Sequence, residues 1–165
     1  MNYELEQALM LRAQLRAGGR RLVLGNGHFD LLHSGHLDYL ERARRLGDAL
    51  IVGVNGDASS ARLKGPGRPL VPAQERARLL AALKPVTAVV IFEEDVADGL
   101  IRALRPEIYA KGADYAHKPL PERAVAEACG AQVVLIPLRP QRSSSGLIER
   151  IRALPAADAS PAGSG

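Results

Sequence analysis

The sequence predicts an α/β protein, a doubly wound sheet of five parallel strands with helices on both faces. Strand-like and helix-like stretches alternate along the chain. The strand-like stretches are apolar throughout rather than at every second residue, as strands covered on both faces require. Hydrophobic residues make up 47% of the 165 and aromatics only 4%, so the core is sizeable and aliphatic.

Taken in order, residues 4–17 carry Leu5, Leu9 and Leu15 at helical spacing and stop at Gly18-Gly19. Residues 21–24 read as the first buried strand. Leu37, Leu40, Ala43 and Leu46 share one helical face, with Gly47 as the stop. A second strand spans 50–54, and a helix follows it. Residues 72–83 form a helix with Pro72 in its first turn and Leu79, Leu80 and Leu83 facing inward. A third strand spans 88–92, a helix 96–104, a short fourth strand 107–110, a helix 121–129 and a fifth strand 133–137. Leu147, Ile148, Ile151 and Leu154 mark a last helix. The organisation is thus an N-terminal helix within 1–20, one domain over 21–154, and a tail over 155–165. That tail is Pro, Ala, Ser and Gly with one Asp, a composition for which disorder is expected. No internal repeat is present.

Composition narrows the function classes. The net charge of +4 comes from 22 basic and 18 acidic residues scattered along the chain. A nucleic-acid partner would call for a basic block with interleaved aromatics, so none is expected, and small phosphorylated ligands suit the charge better. No apolar run approaches the roughly 18 residues of a membrane span, and the acidic N-terminus has no signal-peptide core. Cys129 is the only cysteine and can form neither an internal disulfide nor a cysteine-built zinc site. A cytoplasmic location is the expectation. The N-terminal helix could pair with a neighbour in a homo-oligomer.

Ligands of such sheets bind outside the carboxyl ends of the strands. The segment there after the first strand, Gly25 to His36, is the most informative in the chain. His33 and His36 flank Ser34-Gly35 at an expected helix N-terminus, where free backbone N–H groups and the macrodipole attract anions. Gly35 lets a phosphate approach the backbone, and the two imidazoles offer ring donors that could carry charge beside a polyphosphate. Zinc ligation is disfavoured, because no further ligands stand at suitable spacing, and no metal site built from protein side chains is expected. A dinucleotide fingerprint starting at Gly25-x-Gly27, with Asp57 as ribose ligand, lacks its third glycine. Plain helix capping would explain one histidine better than two.

Three later segments support an anion site. Lys64-Gly65-Pro66-Gly67-Arg68-Pro69 puts two cations on a loop able to fold over a triphosphate. Lys111-Gly112-Ala113-Asp114-Tyr115 follows the fourth strand. Arg142-Ser143-Ser144-Ser145 precedes the last helix and offers hydroxyls and free N–H groups to a second anion.

His33-Ser34-Gly35-His36, preceded by Gly27-His28-Phe29-Asp30, resembles the HxGH signature and GxFD start of the cytidylyltransferase-like nucleotidyltransferases. The motif stands between a strand and a helix, as in that family. The order of segments from Asn55 and Asp57 through the Lys64 loop, Glu93-Glu94-Asp95, the Lys111 segment and the serine triplet is similar to the adenylyltransferase domain of heptose-1-phosphate adenylyltransferases. The resemblance covers residues 16–152 and includes no kinase domain. It departs from the family pattern at Gly25, His28, Gly56 and Ala113, at the all-serine triplet with Gly146 after it, and at Glu122 and Val125, where a glycine and an acidic residue are usual.

The resemblance implies a Rossmann-like nucleotidylyltransferase fold and transfer of AMP from ATP to D-glycero-β-D-manno-heptose 1-phosphate. The products would be pyrophosphate and ADP-heptose, a precursor of lipopolysaccharide or other surface glycans. It implies catalytic roles for His33, His36 and Lys64. Asn26, Gly27, Phe29, Gly35, Lys111, Gly112, Asp114, Arg142, Ser143, Ser144 and Ser145 would bind nucleotide, and Asp30, Asn55, Asp57 and Arg68 the acceptor side. Mg²⁺ held mainly by substrate phosphates is the expected cofactor. Glycerol-3-phosphate cytidylyltransferase and archaeal-type FAD synthetase share the start motif and stand as alternatives. A non-catalytic nucleotide-binding module is the alternative of another class.

Overall fold

A computed structural model of the chain describes residues 4–137 and 144–154, apart from the side chain of Asp114. Five parallel strands form one sheet: β1 (Leu22–Gly27), β2 (Ala49–Asn55), β3 (Ala88–Phe92), β4 (Ile108–Gly112) and β5 (Gln132–Ile136). Their order is β3-β2-β1-β4-β5. The chain therefore builds outward from β1 to β3, then crosses to the other side of β1 for β4. The switch point lies between β1 and β4, where such sheets leave a crevice at their carboxyl ends.

Seven helices connect and cover the strands among the described residues: α1 (Leu5–Ala17), α2 (Ser34–Arg44), α3 (Asp57–Lys64), α4 (Ala73–Ala81), α5 (Asp98–Leu104), α6 (Arg123–Ala128) and α7 (Ser144–Arg152). A 3-10 turn, Ala113–Ala116, follows β4 directly. Two apolar layers sandwich the sheet. Leu22, Leu24, Ile51, Val90 and Tyr109 pack with Ala8 and Leu15 of α1 and Leu100, Ile101 and Leu104 of α5. The alternate strand residues Val23, Val52, Val54 and Ile108 pack with Tyr39, Leu40 and Ala43 of α2 and Ala77 and Leu80 of α4. β1 and β2 are buried almost end to end, which is why their sequences are apolar without alternation.

β1 is longer than the sequence suggests. Gly25, Asn26 and Gly27 read as a turn, yet they pair in register with Val52, Gly53 and Val54. Pairing with a fully buried neighbour outweighs their local preference for a loop. β4 likewise extends through Lys111 and Gly112, which pair with Leu135 and Ile136.

At the opposite, amino end of the sheet, Arg12 ties α1 down. Its guanidinium donates to Leu104 O at 2.8 Å, Arg105 O at 2.6 Å and both oxygens of Glu107 at 2.6 and 2.9 Å. Glu107 also accepts from the Leu22 N–H at 2.7 Å. Burial opposes charge on Glu107, but these donors outweigh it and hold the carboxyl below its ordinary range.

Candidate active site

A cleft of about 550 Å³ opens at the carboxyl ends of β1 and β4, at the switch point. Its walls include Asn26 and Gly27 from β1, the loop from His28 to His33, Gly35 and His36 from α2, Asn55 from β2, Lys64 and Arg68, Lys111 and Gly112 from β4, and Ser144 and Ser145 from α7. Segments far apart in sequence thus converge on one cavity.

α2 starts at Ser34 with His33 in extended geometry as its N-cap residue and no side-chain cap. The rings of His33 and His36 stack, with centroids 3.9 Å apart. Phe29 adopts the left-handed region at φ 50° and sets its ring 5.2 Å from that of His36. A Cβ at Gly27 would press on the Phe29 ring at 3.2 Å, so glycine here permits the turn. Burial, then the neighbouring His33, lowers the pKa of His36 to about 4. The sequence allows either histidine to carry charge, whereas a pKa of about 4 makes the His36 imidazole neutral at pH 7. Its Nδ1 is buried and has no hydrogen-bond partner among the described residues.

Asp30 organises the loop that carries Arg68. Its carboxylate accepts from Arg68 Nε at 2.5 Å and from the N–H groups of Leu70 and Val71 at 2.7 and 2.9 Å. Burial works against the anion, but these donors prevail and depress the Asp30 pKa. Lys64 closes α3, where Gly65 at φ 90° ends the helix. Lys64 has no carboxylate partner among the described residues, whereas Arg68 is held by Asp30 and Lys111 stands 3.6 Å from Glu122.

A buried polar chain floors the cleft. Asn26 Oδ1 accepts from Tyr109 Oη at 2.6 Å and from Lys111 Nζ at 3.1 Å. Asn55 donates to Ser59 Oγ and Glu94 O, which fixes it between β2 and the loop after β3.

Asp57 departs from expectation. Its carboxylate accepts from the Ala73 N–H at 2.8 Å and from Arg76 at 2.7 Å, and it does not line the cleft. Arg76 is fully buried and also donates to Val71 O, His28 O and Asn55 O, so the pair serves as a bracket under the site. Arg142 and Ser143 lie outside the described residues, as do the side chain of Asp114 and the tail over 155–165. Ser144 donates to Leu31 O at 3.1 Å, which joins α7 to the histidine loop.

Sequence reasoning assigns no role to His28 and Glu122, yet both line the cleft. His28 Nδ1 lies 2.9 Å from Ser60 Oγ, and burial, then Lys64, Arg76, Lys111 and Arg68, lowers its pKa to about 4. Ser60 is 32 residues away in sequence, so no local pattern announces the contact. Among the described residues no three His, Cys, Asp or Glu side chains gather to hold a metal ion, and no helix is long and apolar enough to cross a membrane.

Known proteins are similar to this chain. Residues 24–155 match the cytidylyltransferase-like family. The bifunctional protein HldE of Magnetococcus marinus is 50% identical over 141 residues, which cover 86% of this chain and 29% of that protein. The bifunctional protein HldE of Streptomyces coelicolor is 48% identical over 140 residues, covering 85% and 30%. The chain therefore spans less than a third of the length of these relatives. A lipopolysaccharide core biosynthesis protein from Thermoplasma volcanium superposes with a TM-score of 0.60 at 28% identity, covering 73% of this chain and 98% of that one. With the paired histidines, the crossover sheet and a match over most of its length, the chain belongs to the cytidylyltransferase-like family of nucleotidyltransferases.

Proposed function

We propose that the protein transfers AMP from ATP to D-glycero-β-D-manno-heptose 1-phosphate, giving ADP-heptose and pyrophosphate. The observation that carries the transfer is the convergence of stacked His33 and His36, Lys64 and Lys111 on one cleft at the switch point. The choice of adenine and heptose is supported by the resemblance to heptose-1-phosphate adenylyltransferases. Likeness to the bifunctional HldE proteins and to a lipopolysaccharide core biosynthesis protein adds to it.

In this reading an oxygen of the acceptor phosphate attacks the α-phosphorus in line. The bond from the α-phosphorus to the bridging oxygen breaks, and pyrophosphate leaves with the electron pair. The protein supplies positioning and charge stabilisation rather than a nucleophile. His33 and His36 hold phosphate oxygens, and Lys64 neutralises charge on the transferring group. Ser144 and Ser145, with Arg142 and Ser143 before them, hold the distal phosphates at the start of α7. Asn26 and Lys111 line the nucleotide side, and Arg68, fixed by Asp30, faces the acceptor with Asn55. Mg²⁺ held mainly by the substrate phosphates would supply positive charge to the triphosphate, and the Asp30 carboxylate, which already accepts from Arg68, Leu70 and Val71, would not be needed to hold it.

The test is pyrophosphate release with Mg²⁺ and each of ATP, CTP, GTP and UTP against heptose 1-phosphate, other sugar 1-phosphates, glycerol 3-phosphate and FMN. Release with ATP and heptose 1-phosphate alone is expected. Release with CTP and glycerol 3-phosphate, or with ATP and FMN, would reassign the acceptor. Binding of ATP without release from any pair would point to a binding module.

A further inference from the structure

We propose that Glu122 is a recognition residue of the cleft, accepting a hydrogen bond from a hydroxyl on the sugar ring of a bound substrate. The inference rests on the nucleotidyl-transfer reading above and names a contact that reading leaves unassigned.

Glu122 stands at the start of α6, is only 4% exposed, and lines the same cleft as the histidine pair. Its Oε1 lies 3.6 Å from Lys111 Nζ, within ion-pair reach. Its Oε2 is buried and has no hydrogen-bond partner among the described residues. Tyr109 donates to Asn26 Oδ1, and Lys111 reaches both Asn26 Oδ1 and Glu122 Oε1. Burial, and next the charge of Glu122, keeps the Tyr109 phenol protonated as that donor. A buried carboxylate oxygen without a donor is costly, and in a substrate cleft the missing donor is one the ligand brings. The terminal torsion of a glutamate is broad, so either oxygen can turn toward the cavity.

Charge decides what the donor is. Lys64, Arg68 and the two histidines suit a polyphosphate, whereas a carboxylate repels one. The part of a substrate that meets Glu122 is therefore neutral and carries hydrogen-bond donors. Hydroxyl-to-carboxylate bonds are among the shorter and stronger ones. Both substrates of the proposed reaction offer such hydroxyls, on the ribose of the nucleotide and on the acceptor sugar.

Calorimetric binding of ATP, 2′-deoxy-ATP, 3′-deoxy-ATP, purine riboside triphosphate and heptose 1-phosphate separates the sources, using wild type, Glu122→Ala and Glu122→Gln. If the ribose is the source, wild type binds ATP at least about tenfold more tightly than one deoxy analogue, and Glu122→Ala erases that preference. If the acceptor is the source, Glu122→Ala weakens heptose 1-phosphate at least about tenfold and leaves the ATP preferences unchanged. Equal weakening of ATP and both deoxy analogues, with the acceptor unaffected, would reduce Glu122 to a counter-ion of Lys111 and overturn the proposal. So would a change confined to purine riboside triphosphate, which marks a base amine, or no change at all. If Glu122→Ala fails to fold by circular dichroism, Glu122→Gln carries the test, since it keeps the shape and weakens the acceptor. Binding is read without turnover, and wild-type pyrophosphate release separately reports whether the reaction itself holds.

Discussion

The imidazoles of His33 and His36 lie 20° from parallel at 3.9 Å, face to face at the start of α2. Burial first, and then the neighbouring ring of His33, keeps His36 neutral, and its Nδ1 has no hydrogen-bond partner among the described residues. In the proposed reaction a polyphosphate would bring negative charge and hydrogen-bonding oxygens to this pair. Removing either ring should lower kcat by about 10²–10³-fold, the usual cost of one well-placed donor to a transferring group. Steady-state pyrophosphate release by His33→Ala and His36→Ala checks this, and a variant turning over at the wild-type rate would remove that histidine from the mechanism.

Acid should weaken the fold. His28 and His36 have folded-state pKa values of about 4 against 6.5 for the free side chain. Between those values the unfolded chain takes up protons that the folded protein refuses. Their contribution to stability is therefore complete above about pH 6.5 and is lost as the pH falls toward about 4. Thermal unfolding at pH 7 and pH 5 should give a lower Tm at pH 5. The double variant His28→Gln/His36→Gln should lose less over the same interval, and an equal loss would place the acid sensitivity elsewhere.

Asp57 should matter for stability and not for nucleotide affinity. Its carboxylate faces the fully buried guanidinium of Arg76 and the start of α4. Asp57→Ala leaves part of that guanidinium unpaired and should cost about 1–3 kcal/mol in denaturant unfolding. Arg76→Met, which strands the carbonyls of Val71, His28 and Asn55, should cost more than Asp57→Ala in the same assay. ATP binding by the folded Asp57→Ala protein should match wild type, and a selective loss of ATP would restore a ribose role to Asp57.

Gly25 and Tyr39 form a steric pair. A Cβ at Gly25 would run into the Tyr39 hydroxyl, which donates to Ala110 O at 2.8 Å and so joins α2 to β4. Gly25→Ala should destabilise by about 1–3 kcal/mol through overpacking. Adding Tyr39→Phe removes the colliding oxygen, so a double-mutant cycle should report positive coupling; strictly additive losses would contradict the contact.

The strands, the parallel sheet and most of the cleft are legible in the chain because they depend on local signals. Apolar runs without alternation give the buried strands, and His33-x-x-His36 after a strand marks residues that line the cleft. What is not legible depends on pairing across long sequence gaps. Gly25 to Gly27 read as a loop until β2 is beside them. Asp57 reads as a ligand until Arg76, 19 residues on, claims it. Glu122 stands out in the sequence only where a glycine is usual, and only the fold buries it beside Lys111.

The clamp of Arg12 on Glu107 fastens α1 to the blind end of the sheet, where β1 and β4 begin, while the cleft gapes where they finish. The two ends of this molecule are thus mechanically segregated. Neither Arg12 nor Glu107 lines the cavity, so loosening that clamp would free the base of the sheet without removing a single wall of the mouth.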